Sequence, residues 1–396
     1  MYISEKAKKI KASTTLAIDS KFKEMKAAGE DVVGFGAGEP DFNTPDYIIE
    51  AAIKAMQDGK TKYTPAAGTV SLRKEICNKF KNENNLDYTF DQIVVSNGAK
   101  HSLVNVFMTI LNPGDEVIVP APFWVSYPEM IKIADGVPVI LYTNEENNFK
   151  LTKDELLSKI TDKTKAIVLN SPSNPTGMVY TKDELAEIAK VAVEKNIYVV
   201  SDEIYEHLIY EGKHVSIAEL GEDIKNLTII INGVSKTYAM TGWRIGYTAS
   251  NVEIAKAMGN LQSHATSNPN SIAQAATEAA LTGGYEEINK MKKAFVERRD
   301  YMTRRINSIN GVSCKVPNGA FYVLMNISAL KGKTIAGELI NTSDDFATVF
   351  LNKAGVAIVP CSGFGNDDYV RWSYATSMEN IKEGLDRLEK LLSNIL

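Results

Sequence analysis

Three cysteines, four histidines and no long apolar run leave this 396-residue chain poorly equipped for several kinds of chemistry. Cys77, Cys314 and Cys361 are far apart and form no C-x-x-C pair, so reduced thiols are expected rather than disulfides or a thiolate cluster. His101, His207, His214 and His264 show no metal-ligand spacing, and no metal site is expected. No uninterrupted apolar segment approaches the roughly 20 residues of a membrane span. Positive charge is not in excess: 44 Lys and Arg stand against 49 Asp and Glu, a net charge of -5, which argues against nucleic acid or an anionic membrane as partner. The opening Met1 to Lys11 carries five lysines or acids before any apolar run, so no signal peptide is expected and the chain reads as cytoplasmic. The phosphate-loop pattern G-x-x-x-x-G-K-[ST] is missing, which removes a P-loop nucleotide hydrolase. Repeats, low-complexity tracts and long Pro/Gly/Ser linkers are missing too.

What is present is an ordinary globular composition, 44% hydrophobic and 23% charged, in a chain long enough for one large domain and a smaller one. Val32 to Pro40 reads as a strand entering a glycine-rich turn. It invites the dinucleotide fingerprint G-x-G-x-x-G, but Glu39 and Pro40 stand where that pattern needs a helix start, so the fingerprint fails. From about residue 46, short apolar strands alternate with amphipathic helices. The expected strands are Asp91–Ser96, Glu116–Pro120, Val137–Tyr142, Ala166–Asn170, Tyr198–Ser201, Thr228–Asn232 and Ile245–Ala249. A helix is expected over Thr181–Asn196, opened by a capping-box pair (Thr181, Glu184), with Leu185, Ile188, Ala189, Ala192 and Val193 on one face. Such alternation indicates an α/β fold whose mostly parallel sheet is covered by helices. The character changes near residue 285, where a charged helix from about Glu286 to Ser308 begins a region of shorter strands (Gly319–Met325, Val356–Val359, Val370–Tyr374) and longer helices. The expected division is 1–45 joining the small domain, 46–289 as the large domain, and 290–396 as the small C-terminal domain.

The unusual residues cluster at expected strand ends, where ligands bind in open α/β sheets. Ser96-Asn97-Gly98-Ala99-Lys100 is a small-residue turn opening a helix, suited to a phosphate held by backbone N–H groups. Asn170 to Gly177 presents Asn174, and Ser201 to Tyr205 presents Asp202 and Tyr205. The run Ile229 to Tyr247 places Lys236 on a loop between two buried strands, with Arg244 eight residues on. A lysine in such a dry setting is a candidate amine nucleophile. Each feature alone has a plainer reading: an exposed lysine, an ordinary helix start, turn chemistry at Asn174, a cap at Asp202. Together they supply what pyridoxal phosphate requires: an amine, an acid for the ring nitrogen, donors for the ring oxygen, and a cationic phosphate cradle.

With these motifs in hand, the chain resembles the class I/II aminotransferases of pyridoxal phosphate fold type I, and among them the bacterial aspartate aminotransferase group. The resemblance rests on Ala37 to Phe42, Tyr63 to Gly68, Ser96 to Lys100, Pro122 to Pro128, Asn170 to Gly177, Ser201 to His207, Ser235 to Gly246, Pro317 to Tyr322 and Val370 to Ala375, in order along nearly the whole chain. It implies that Lys236 is the Schiff-base lysine and the base that moves the substrate α-proton. Asp202 would pair with the ring nitrogen, and Tyr205 and Asn174 with the ring 3-oxygen. Ser235, Arg244 and the Gly98-Ala99-Lys100 backbone would hold the phosphate, with Tyr63 reaching it from a partner subunit, and Trp124 would stack on the ring. Arg371 would clamp the substrate α-carboxylate bidentately, assisted by Asn174 and the Gly38 backbone. Lys100 matches a lysine that takes the distal carboxylate of an acidic substrate, with Trp124 beside it. Ser13 and Thr15 would add hydroxyls, and Lys9 stands near where prephenate-using relatives carry an arginine. The resemblance thus implies ping-pong transamination between L-aspartate and 2-oxoglutarate in a homodimer with a composite site. The alternatives it leaves are an aminotransferase for alanine, aromatic, kynurenine or prephenate substrates, and a C–S lyase on the same fold.

Overall fold

The protein is described by a computed structural model covering residues 2–10 and 14–393. Strand β1 (Val33–Gly34) stands apart from the main sheet. The main sheet is built from β2 (Ile93–Ser96), β3 (Glu116–Ala121), β4 (Val137–Tyr142), β5 (Thr164–Asn170), β6 (Tyr198–Asp202), β7 (Thr228–Gly233) and β8 (Gly246–Ala249), in the spatial order β2-β8-β7-β6-β5-β3-β4. The neighbours from β7 through β4 run parallel, while β8 runs antiparallel to both β7 and β2. Both faces are covered, which is why the strands read as unbroken apolar runs. Along β5, Ala166 and Val168 pack with the helices Ala99–Ile110 and Val252–Ala265, and Ile167 and Leu169 with the helix Lys182–Lys195 on the other side.

Register explains the gathering of functional residues. Asn170 lies opposite Asp202, and Gly233 opposite Gly246, which itself faces Ser96. Three parallel strands therefore end on one edge, and the reversal at β8 brings the chain after Arg244 back to that edge. The approach is tight: a Cβ on Gly246 would overlap the Ala99 backbone at the start of the helix Ala99–Ile110.

Four of the remaining strands form a second, antiparallel sheet in which Tyr322–Asn326 pairs with Tyr369–Ser373, flanked by Val359–Pro360 and Ser313–Cys314. β1 pairs in parallel with Val356–Ala357, so the N-terminal segment is hydrogen-bonded to the C-terminal region. Phe35 packs there against Trp372, with ring centroids 4.6 Å apart.

Several boundaries differ from the sequence expectation for local reasons. Asp91 and Gln92 belong to a 3-10 turn capped by Thr89, so β2 starts at Ile93. The strand expected from Gly319 starts at Tyr322, because Ala320 has φ 57° and breaks the extended run. The stretch Val356–Val359 is two short strands serving different partners, separated by Ile358. In the helix Lys182–Lys195 the capping box forms as expected: the Thr181 hydroxyl accepts from the Glu184 N–H at 3.3 Å, and the Thr181 N–H donates to the Glu184 carboxylate at 2.7 Å. Val191 rather than Val193 completes its buried stripe. Val193 is five residues beyond Ile188, a rotation of about 140° from it, and it is 37% exposed.

Candidate active site

A cavity of about 370 Å³ opens at the shared strand edge, lined by Gly38, Ala99, Lys100, Trp124, Asn174, Asp202, Tyr205, Ser235, Lys236, Arg244 and Arg371, all singled out from sequence. Tyr127, Asn170, Thr241 and Tyr322 line it as well. Lys236 extends from the β7–β8 connection, and its Nζ donates to the Gly38 carbonyl at 2.6 Å. The little solvent it sees is the cavity itself. Burial, helped by the charges of Arg244 and Arg371 and opposed by Glu39 and Asp202, pulls its pKa down to about 8. An amine with that value is about one-tenth free base at pH 7, far more than an ordinary lysine.

Asp202 closes β6 and is 3% exposed. Burial pushes its pKa up to about 6, against the Tyr127 hydroxyl, which donates to Oδ2 at 2.6 Å, and the Ile204 N–H, which donates to Oδ1 at 3.2 Å. A buried carboxylate with that pKa has unmet demand for a cationic or N–H partner, and it faces the cavity. Tyr205, three residues on, is buried with its hydroxyl 3.0 Å from that of Tyr322. Burial first, and then Tyr322, hold the Tyr205 phenol far above its ordinary pKa, so it stays a neutral donor.

Asn174 is fixed on its loop by Asn170, whose Oδ1 accepts from the Asn174 N–H at 2.7 Å and whose Nδ2 donates to the Asp202 carbonyl at 3.0 Å. The Arg371 guanidinium donates from Nη1 to Asn174 Oδ1 at 2.9 Å and from Nη2 to the Gly36 carbonyl at 3.0 Å. It lies over the Tyr322 ring, 4.3 Å from the centroid, and its buried Nε has no protein partner. A buried N–H donor left open in this way calls for a ligand acceptor.

On the opposite wall, Gly98 at φ 87° caps the helix Ala99–Ile110 with no side chain, leaving the helix N-terminus open to an anion. The Arg244 guanidinium reaches over it, donating to the Thr241 and Asn97 carbonyls at 2.8 and 3.3 Å, and a Cβ on Gly98 would collide with that group. Arg244 itself is at φ 60°, a left-handed turn that aims it back toward the helix start. Lys100 rests its Nζ 4.8 Å from the Trp124 ring centroid, and burial and Arg244 lower its pKa. Among the described residues, Lys100, Arg244 and Arg371 all lack a carboxylate partner.

Two sequence candidates are not among the residues lining the cavity: Gly98, which adjoins it at the helix start before Ala99, and Tyr63. Tyr63 is 92% exposed and lies with Lys60, Lys62 and Glu278 around a separate surface depression. Ser13 lies outside the described residues, as do the side chains of Lys9 and Thr15. Tyr127, Asn170, Thr241 and Tyr322 line the cavity and stand inside quoted motifs, but were not singled out as site candidates. Tyr127 is three residues after Trp124 and Tyr322 closes the Pro317–Tyr322 motif, but their roles depend on partners 75 and 117 residues away.

Comparison with known proteins places this geometry. A family model described as aminotransferase class I and II matches residues 30–388. An aspartate aminotransferase of Bacillus sp. (strain YM-2) is 50% identical over 98% of this chain and 99% of its own. An aspartate/prephenate aminotransferase of Nitrosomonas europaea is 45% identical over 99% of this chain and 100% of its own. Among solved structures, the aspartate aminotransferase from Rhizobium meliloti superposes with a TM-score of 0.97 at 41% identity, covering 100% of both chains.

Proposed function

This chain belongs to the class I and II aminotransferase family, and we propose that it moves the amino group of L-aspartate onto 2-oxoglutarate in a ping-pong exchange. The family is pyridoxal-phosphate dependent, and the residues present fit that cofactor. The exposed N-terminus at Gly98, the Arg244 guanidinium and Ser235 form an anion cradle, and Asp202 is a buried acid with room for an N–H partner. Tyr205 and Asn174 offer donors between them, Trp124 a ring face, and Lys236 the amine. When bound, pyridoxal phosphate supplies an aldehyde that captures amines and a ring that withdraws electrons.

The protein's own contribution is positional and acid–base. Asp202 holds a proton on the ring nitrogen through its carboxylate. Tyr205 and Asn174 would fix the ring oxygen, and Arg371, which lines the cavity, would take the substrate α-carboxylate through its guanidinium. Lys236 Nζ would accept the substrate α-proton and move it between substrate and cofactor, work for which a lowered pKa is suited. The observation that carries the acidic-substrate reading is the set of three cations, Lys100, Arg244 and Arg371, without a carboxylate partner on one cavity. A cofactor phosphate and the two carboxylates of aspartate number the same. Arg244 serves the phosphate, Arg371 the α-carboxylate and Lys100 the distal one.

The proposal includes a cytoplasmic homodimer in which Tyr63, exposed and outside its own cavity, reaches the partner's phosphate cradle. It also includes a division into a large domain (46–289) and a small domain (1–45 with 290–396). Pairing of β1 with Val356–Ala357 supports the second grouping, and no helix among the described residues is long and apolar enough to cross a membrane.

The decisive experiment adds L-aspartate, without any oxo acid, to protein loaded with pyridoxal phosphate. Loss of the visible cofactor band, gain of the amine-form band and release of oxaloacetate are expected. Conversion by alanine, aromatic donors, kynurenine or prephenate-derived donors but not by aspartate would move the substrate assignment. Pyruvate and ammonia from a cysteine-like donor would instead identify a C–S lyase.

A further inference from the structure

Directly behind the lysine loop lies a buried ionic cluster that the chemistry above does not use. Lys79, whose side chain is 2% exposed, is ion-paired with the equally buried Glu206 and stands 3.6 Å from Glu83. Burial opposes ionisation of Glu206, but Lys79, with His207 and His214, overcomes it and holds the carboxyl far below the usual range. Glu83, Glu206 and His207 come within ligand distance of one another. The Lys79 ammonium already engages both carboxylates, so the trio is satisfied as an ion-pair network rather than a metal site.

His207 stands out because it links this cluster to the catalytic loop. Its Nε2 is 3.0 Å from Glu83 Oε2, and its Nδ1 is 3.2 Å from Thr237 Oγ1. Glu83 also accepts from the Tyr285 hydroxyl, and the Tyr285 ring lies against the imidazole with centroids 5.7 Å apart. In the tautomer protonated at Nε2, the imidazole donates to Glu83 and Nδ1 accepts from the Thr237 hydroxyl, with Glu206 Oε1 3.7 Å from Nδ1. Thr237 is 2% exposed and immediately follows Lys236, while His207 follows Tyr205 by two residues. One imidazole therefore joins the loop bearing the amine, the turn bearing the phenol, and the helix Val70–Asn84.

We propose that His207, anchored by Glu83, is a positioning residue that fixes the Thr237 side chain and so aims Lys236 Nζ at the reacting carbon. The inference rests on the transamination reading for its kinetic consequence, though not for its spectroscopic one. Angular precision at the proton-transferring group affects turnover rather than substrate binding.

Three variants of the full-length, cofactor-loaded protein test this. Thr237→Val removes the hydroxyl at nearly constant volume. His207→Gln keeps a group within reach of Glu83 but withdraws the one facing Thr237. Thr237→Ser restores the hydroxyl. Thr237→Val and His207→Gln are expected to lower kcat about five- to tenfold with KM for the amino donor within about twofold, on the scale of one lost positioning hydrogen bond. Both are also expected to move the pH midpoint of the cofactor's visible band by about 0.5 unit, and Thr237→Ser to return both quantities toward wild type. An unmoved midpoint in both Thr237→Val and His207→Gln would overturn the proposal. So would a loss in Thr237→Ser equal to that in Thr237→Val, or a fall in thermal midpoint without the kcat-against-KM split. The spectral arm decides whichever amino acid the enzyme uses, and wild type assayed with aspartate in parallel tests the substrate reading separately.

Discussion

Replacing Lys100 with methionine isolates the charge on which acidic specificity depends. The Lys100 stem lies beside Trp124, with Nζ 4.8 Å from the ring centroid, and methionine retains the apolar stem while deleting the ammonium. Two unit charges about 4 Å apart interact by roughly 4 kcal/mol at an effective dielectric near 20. Because Lys100 is partly open to solvent, a net charge-assisted contact of about 1.5–3 kcal/mol is the better figure. That converts to a loss of roughly 10- to 150-fold in kcat/KM for aspartate. Alanine has no distal carboxylate, so its kcat/KM should change by less than about threefold, the residue of any effect on the nearby phosphate cradle. Steady-state kinetics with both donors, at saturating 2-oxoglutarate and at low and high ionic strength, read the difference directly. Equal losses for aspartate and alanine would refute the distal-carboxylate role and leave Lys100 as a cradle charge only.

Asp202→Asn should abolish most turnover yet stabilise the protein stripped of cofactor. A carboxyl raised from 3.8 to about 6 contributes stability that is fully present below the unfolded pKa and lost as pH rises through the folded one. The variant's advantage in urea denaturation should therefore be small near pH 4 and grow to about 3 kcal/mol above pH 6; a pH-independent difference would contradict the desolvation account. Tyr127→Phe removes the 2.6 Å donor to Asp202 and is expected to raise that pKa further and lower kcat about fivefold with KM little changed. A change in KM alone would count against it. Gly98→Ala sets a methyl group against the Arg244 guanidinium at a positive φ, so cofactor affinity by equilibrium dialysis should fall at least about tenfold; unchanged affinity would show that the cradle lies elsewhere.

Much of the sheet and its chemical edge was legible before the structure. Runs such as Thr228–Asn232 are apolar at every position because both faces are covered, and small or polar residues follow immediately at Asn170, Asp202 and Gly233. Local signals also gave the Thr181–Glu184 cap, since both partners lie within one turn. Legibility ended where a contact joined distant segments. The Tyr127–Asp202 bond spans 75 residues and the His207–Glu83 contact 124, and no spacing rule reaches so far. Histidine spacing was equally uninformative about His207, because Glu83 approaches it from the helix Val70–Asn84. Backbone conformation hid the start of the strand at Tyr322, as nothing in the residue type of Ala320 announces a positive φ. Arg371 and Lys236 were found as individuals by motif, but their meeting through the Gly36 and Gly38 carbonyls was not.

The reversal of β8 has a consequence for how this chain tolerates change. Lys236 and Arg244 belong to one connection whose ends, Gly233 and Gly246, are paired across neighbouring strands. The span between amine and phosphate cation is thus a closed length of chain, not a free loop. A residue added or removed between Met240 and Trp243 cannot be absorbed by slipping either strand, since a slip of one would turn every side chain of β8 to the opposite face. Loops elsewhere on the molecule can lengthen; this one is a ruler.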